Sequence, residues 1–195
     1  MKSRVSAIDR LRLAAISFSV LLVLLLGVLL PKGTHAATAR EIDVSVDVAL
    51  ERFNKEIKGS KELLTIAKGV LVFPSVYKAG FVVGGEYGEG ALRIGGKTVD
   101  YYNTVAGSFG LQIGAQAKTI IIVFIQQAAL DKFRKSEGWK AGVDGSVALI
   151  NVGAGGSLDT ENIKDPIVGF VFGQKGLMAN LTLEGTKITR MNMKK

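Results

Sequence analysis

The sequence predicts an α+β domain: N-terminal helices followed by a curved antiparallel β-sheet or barrel with one crossing helix. Three observations point there. Between Arg40 and Lys58, apolar residues recur every three or four positions. After Lys68 the chain changes to short runs of Val, Ile, Phe and Tyr broken by glycine. One helix-periodic stretch, Gln126 to Ser136, interrupts those runs. The first spacing is that of a helix face, the second that of strands joined by tight turns.

In the first segment Ile42, Val46, Leu50, Phe53 and Ile57 share one helical face. The opposite face carries Glu41, Asp43, Asp47, Glu51, Arg52, Lys55 and Glu56, a mixed set. A helix lying on a membrane would present Lys and Arg there, so this one is expected to pack on the core. Gly59 ends it, and Ser60 is placed to cap a second short helix from Lys61 to Ala67. The run from Val70 to Gly90, VLVFPSVYKAGFVVGGEYGEG, joins an apolar strand, a proline turn and four close glycines without a catalytic side chain.

Downstream, GSFGLQIGAQ (Gly107 to Gln116) alternates Phe109, Leu111, Ile113 and Ala115 with Gly110, Gln112, Gly114 and Gln116, leaving one face bare for close backbone approach. Ile120 to Ile125 is continuously apolar, the mark of a central strand buried on both sides. The crossing helix from Gln126 to Ser136 carries Ala129, Leu130 and Phe133 and ends near Gly138. Strands are expected again at Asp144 to Val152, Ile167 to Phe172, Leu177 to Leu183 and Lys187 to Met191. Asp144 and Gly145, in GVDGSVAL, read as a hairpin turn. KAGFVVGGEYGEG at Lys78 and KGLMANLTLEG at Lys175 are a faint internal repeat.

The chain has 195 residues, enough for one domain and a leader, and no cysteine, which excludes disulfides and thiolate chemistry. Lys2, Arg4, Arg10 and Arg12 precede an eighteen-residue stretch, Leu13 to Leu30, apolar but for Ser17 and Ser19, and Thr34-His35-Ala36 then offers small residues to a signal peptidase. Residues 1–36 are read as a signal peptide cleaved before Ala37, with an uncleaved anchor at 13–30 as the alternative. Either way the domain from 37 to 195 is exported, to the periplasm or cell envelope. Without the leader the formal charge of +8 falls to +4, from 20 basic and 16 acidic residues. That mild excess suits an anionic membrane surface and does not argue for nucleic acid.

The one histidine, His35, leaves with the leader, so the remaining domain lacks the usual general bases and nucleophiles. Asp159 with Glu161, and Asp144, are the carboxylates an enzyme reading would need; solvated charge and a turn account for them better. The glycine loops Gly84 to Gly90 and Gly153 to Ser157 lack the spacing of a P-loop or dinucleotide fingerprint. The cations nearest the glycine motifs are Lys68, Lys78, Arg93, Lys97, Lys118 and Lys175, and these are the candidate lipid or anion contacts. Phe73 and Phe81 are expected in the core, and Trp139 either there or at a membrane interface. No metal or cofactor is expected.

FPSVYKAGF (Phe73 to Phe81), the glycines at 84, 85, 88 and 90, GSFGLQIG (Gly107 to Gly114), and KGL followed by LTLEG (Lys175 to Gly185) resemble the SYLF lipid-binding domain. The resemblance implies a non-enzymatic domain that binds membranes, through phosphoinositides in eukaryotic members, and actin in the yeast ones. Actin is an unlikely partner for an exported protein, and phosphoinositide scarcely less so. The chain departs from the family at Val171 to Gln174, at Met178 and at Asn180, so headgroup preference does not carry over. The leading expectation is an exported domain that binds anionic phospholipid by a basic and apolar surface, with an acyl chain entering the sheet as an option. The alternative is an envelope module that docks a protein partner through a sheet edge or the first helix.

Overall fold

A computed structural model describes residues 37–80, 83–109, 116–150, 158, 163–173, 176–177 and 183–193. The leader, Phe81, the Leu111 to Ala115 alternation, the Gly153 to Ser157 loop, Asp159, Glu161 and Lys175 lie outside those residues. The elements are α1 (Ala39–Glu56), α2 (Ser60–Ile66), β1 (Gly69–Gly80), β2 (Val83–Ile94), β3 (Lys97–Phe109), β4 (Gln116–Phe124), α3 (Gln127–Lys135), β5 (Trp139–Lys140), β6 (Ala148–Leu149), β7 (Ile167–Gly173), β8 (Gly176–Leu177) and β9 (Lys187–Met191). The α+β expectation holds, helices first and then an antiparallel-dominated curved sheet.

Helix α1 starts at a capping box. Thr38 Oγ1 accepts from the Glu41 amide at 3.3 Å, and the Glu41 carboxylate accepts from the Thr38 amide at 2.7 Å. The Thr38 amide and the Thr38 hydroxyl both donate to the Glu41 carboxylate and hold it below its ordinary pKa, the backbone bond most of all. Ile42, Val46, Ala49 and Phe53 are buried, so the helix packs on the sheet as its periodicity predicts. Ser60 does not cap α2: it is the first helical residue, the cap position belongs to Gly59 at φ 84°, and Ser60 Oγ donates to Asn54 Oδ1 at 3.0 Å. A Cβ at Gly59 would lie 2.9 Å from Leu158 O, so only glycine fits.

Among the described residues nine strands form one sheet in the order β5-β9-β3-β2-β1-β4-β7-β6, with β8 also paired to β7. Every pair is antiparallel except β6 with β7. The centre is β1, and it carries a proline. Pro74 is tolerated because the register slips there against both neighbours, between Val72 and Ser75 on the β2 side and between Phe73 and Val76 on the β4 side. Thr119 Oγ1 donates to the bulged Pro74 carbonyl at 2.7 Å. Opposite the bulge, a Cβ on Gly90 would sit 2.1 Å from Val72 O and one on Gly88 2.8 Å from Ser75 O. The FPS kink and the GEYGEG glycines are therefore two halves of one contact.

The sheet is buried on both faces. On β4, Ile120, Ile122 and Phe124 join the inner cluster while Ile121 and Val123 join the outer one beneath α1. The inner cluster collects Phe133 of α3, which lies 4.9 Å from Phe124, 5.0 Å from Tyr102 and 5.6 Å from Trp139, ring centre to ring centre. Trp139 is thus a core residue, not a membrane-interface one. A Cβ on Gly145 would approach both Trp139 and Ile167, at 3.0 and 3.5 Å. Those residues belong to strands near opposite ends of the sheet order, so the sheet curls until its flanks nearly meet. The space inside, lined by residues such as Phe73, Ile122, Leu183 and Ile188, is too small for a water molecule.

Two strand expectations are corrected. Asp144 and Gly145 do not make a hairpin: Gly142 at φ 84° turns the chain, Asp144 Oδ2 accepts from the Lys140 amide at 2.6 Å, and Ala141 bridges Gly145 in parallel. The expected strand from Asp144 to Val152 shrinks to the two residues of β6, because the chain runs parallel to β7 and only briefly. Substitution Gly90→Ala is expected to destabilise the protein by about 1–3 kcal/mol through forced overpacking. Gly107→Ala, where nothing lies within 4 Å, is expected to be neutral or slightly stabilising. Urea unfolding of the two variants checks the contrast.

Candidate functional site

The described candidates are not gathered into one patch. Lys68, at the start of β1, and Lys97, at the β2–β3 turn, are exposed. Arg93 is tied down by the N-terminal helix, 2.9 Å from Asp47 and 3.7 Å from Asp43. Asp43 also accepts from Thr98 Oγ1 at 2.6 Å and from the Tyr101 hydroxyl at 2.9 Å, so this group latches α1 to the sheet. Lys118 reaches across β1 to Glu86 at 2.6 Å, with both side chains only 12–13% exposed. Lys78 pairs with Glu86 in register on the same face. Arg93 and Lys118 are therefore structural cations, neutralised by carboxylates.

What the register does assemble is a row across five strands on the outer face. Lys140 of β5 lies opposite Lys187 of β9, Lys187 opposite Val105 of β3, Val105 opposite Tyr87 of β2, and Tyr87 opposite Tyr77 of β1. Residues directly opposite one another project to the same face. Their neighbours along the strands confirm which face that is, because Trp139, Ile188 and Val76 belong to the inner cluster. All five side chains are exposed, Tyr77 at 59%, Tyr87 at 46% and Val105 at 47%.

The row departs from what stability alone would select. Two lysines face each other directly, and among the described residues neither has a carboxylate partner within ion-pair distance, an arrangement that costs folding free energy. Two tyrosines and a valine lie beside them in water. Tyr87 donates its hydroxyl to Glu89 at 2.7 Å, and desolvation, then that bond and the carboxylate's charge, push the phenol up to about 12. It stays neutral at any physiological pH. The arrangement offers two cations beside amphipathic rings on a rigid surface. It can hold an anionic, partly apolar layer. Among the described residues no group of three or more His, Cys, Asp or Glu could hold a metal ion.

Residues 105–194 match the family described as Ysc84, Las17-binding protein actin regulator. The SYLF resemblance holds over this segment. The family is linked to lipid and actin-regulator interactions and is generally non-enzymatic. The matched SYLF segment contains three of the five row residues, Val105, Lys140 and Lys187. No curated protein matches the chain. Sequence reading passed over Lys140 and Lys187, although each lies two residues from a glycine motif (GVDGSVAL and LTLEG), and over the tyrosines, because only the pairing register aligns the row.

A double-mutant cycle with Lys118→Met and Glu86→Gln is expected to give a coupling energy of about 1–3 kcal/mol, the size of a partly buried ion pair and too large for a free surface lysine. Stability is also expected to fall as pH rises from about 10 to 12, because the unfolded phenol of Tyr87 ionises first and the folded one resists. Alkaline urea titrations of Tyr87→Phe should show a shallower decline.

Proposed function

We propose that this protein is an exported, non-enzymatic domain that binds the surface of anionic phospholipid membranes through the outer-face row Lys140, Lys187, Val105, Tyr87 and Tyr77. The observation that carries the reading is the lysine couple, without a carboxylate partner among the described residues, separated from two exposed tyrosines by Val105 alone. Near an anionic bilayer each lysine gains about 1 kcal/mol. Tyrosine rings favour the boundary where one end is apolar and the other wet. The side chains that fill the described inner cluster support adsorption to headgroups over extraction of a lipid molecule.

Export is supported by the leader and by a contact at its end. The Ala37 amide donates to Glu89 Oε2 at 3.0 Å. Cleavage before Ala37 turns that amide into an ammonium, and the hydrogen bond becomes an ion pair. Export would also separate this chain from the actin-regulating role that the matched family's description carries. Docking a protein by the apolar face of α1 is disfavoured because Ile42, Val46 and Phe53 are already buried on the sheet.

The test is co-sedimentation of the chain from Ala37 onward with neutral and with anionic vesicles, at low and high salt. Anionic vesicles should bind it, less so in high salt. Lys187→Glu should weaken binding about tenfold or more while stabilising the fold by about 0.2–1 kcal/mol, since Lys140 gains an opposite partner. Equal binding by the variant would remove the row from the site. A second measurement, thermal melting of Glu89→Gln in proteins that begin at Ala37 or carry an extra residue before it, should show a larger loss in the former.

A further inference from the structure

A separate feature lies on the inner side of the sheet, where α3 meets β9. Asp131, Arg134 and Lys135 from the helix and Arg190 from the strand line a cleft of about 270 Å³. Arg134 and Arg190 converge on a single carboxylate, Asp100, at 3.4 and 3.7 Å. Arg190 is steadied from behind: its Nη2 donates to the Arg134 carbonyl at 2.7 Å, and its guanidinium lies 5.9 Å from the centre of the Tyr102 ring. Both arginine side chains are 41% exposed. Each has five donors. Among the described residues the Arg134 side chain meets only Asp100, while Arg190 spends Nη2 on the Arg134 carbonyl and the Tyr102 hydroxyl and turns Nε toward Asp100, which leaves its Nη1 to face the cleft.

The helix dipole accounts for Lys132, Arg134 and Lys135 in the last turn of α3. It does not account for Arg190, which is brought to the same point from 56 residues away. Asp131 is engaged with Gln127 Nε2 at 2.8 Å. Counting Asp100 and Asp131 against Arg134, Lys135 and Arg190, the cleft keeps an excess positive charge. Two held guanidinium forks and an ammonium around a small concavity match the oxygens of a phosphate group, which arginine binds bidentately.

We propose that the Arg134–Lys135–Arg190 cleft is a binding site for a phosphomonoester group. Its charged lining suits a phosphate or a phosphorylated headgroup. The site is independent of the outer-face row, because Tyr102 and Arg190 pair on the inner face whereas Val105 and Lys187 pair on the outer one. Arg134 and Arg190 supply the forks, Lys135 adds charge, and Asp100 and Tyr102 position the arginines.

The test is calorimetric titration of the full-length chain, reconstituted in neutral-lipid vesicles, with inorganic phosphate at constant ionic strength. Saturable 1:1 binding is expected, weakened tenfold or more by Arg134→Gln, Arg190→Gln and Lys135→Gln, and unchanged by Lys97→Gln. Lys135→Gln keeps the result interpretable if an arginine variant melts early. Repeating the titration with phosphatidic acid in the vesicles identifies the source. Competition with phosphate assigns the site to a lipid headgroup, and no competition assigns it to a free phosphorylated compound. Absence of saturable binding, or binding that all three cleft variants leave intact, overturns the proposal. Vesicle adsorption that ignores Lys187→Glu would overturn the surface reading alone, since the phosphate titration does not depend on that lysine.

Discussion

The structure depends on the close crossing of β1 and β2 at Pro74. A proline in the central strand removes an amide from the ladder, and the chain accommodates it with a bulge that bends β1. Gly88 and Gly90 let β2 follow the bend at backbone contact, and Thr119 holds the bulged carbonyl from the β4 side. Without the bend β5 and β7 would not approach around Gly145, and the inner cluster would lack its far wall. The glycine-rich motifs that look like ligand loops in the sequence are, where described, the means by which one sheet covers itself.

From that curvature the functional surface follows. Where the sheet is described, its inner side is filled with side chains and its outer side is in part uncovered. On that outside α1 and α2 cover the portion above Val70, Val72, Ile121 and Val123, and the latch of Asp43 and Asp47 on Arg93 fixes α1 there. The uncovered portion carries the row from Lys140 to Tyr77. The cations that the sequence placed near the glycines are partly consumed in holding the scaffold, Arg93 at the latch and Lys118 against Glu86. The cations left for binding stand elsewhere, at Lys140, Lys187 and the rim of α3.

The architecture was largely legible in the sequence because its signals are local. The three- and four-residue spacing of Ile42 to Phe53 and the unbroken Ile120 to Phe124 run each determine an element from residues close in the chain. The capping box at Thr38 and Glu41 was equally local and was overlooked. Failures came where the partner was distant. Ser60 resembled a cap until Asn54 and Leu158 claimed its surroundings, and Asp144 resembled a hairpin until its carboxylate turned back to Lys140. Both binding surfaces belong to this second class. The outer row runs perpendicular to the chain through five strands, and the cleft joins residues on a helix and a strand far apart in sequence. Neither leaves a trace in linear spacing.

The claim at the centre of this account is that the domain meets lipid with its outer face while its interior stays closed. Trp139, the single tryptophan of the chain, reports on that directly because it lies in the inner cluster against Phe133. Its fluorescence in vesicle-bound protein, with bromine-labelled acyl chains in the bilayer, is the decisive measurement. The account predicts that bound protein keeps the emission of the free protein, unquenched. Quenching by the labelled chains would mean that lipid enters the curled sheet or that the domain opens on the membrane, and would contradict it.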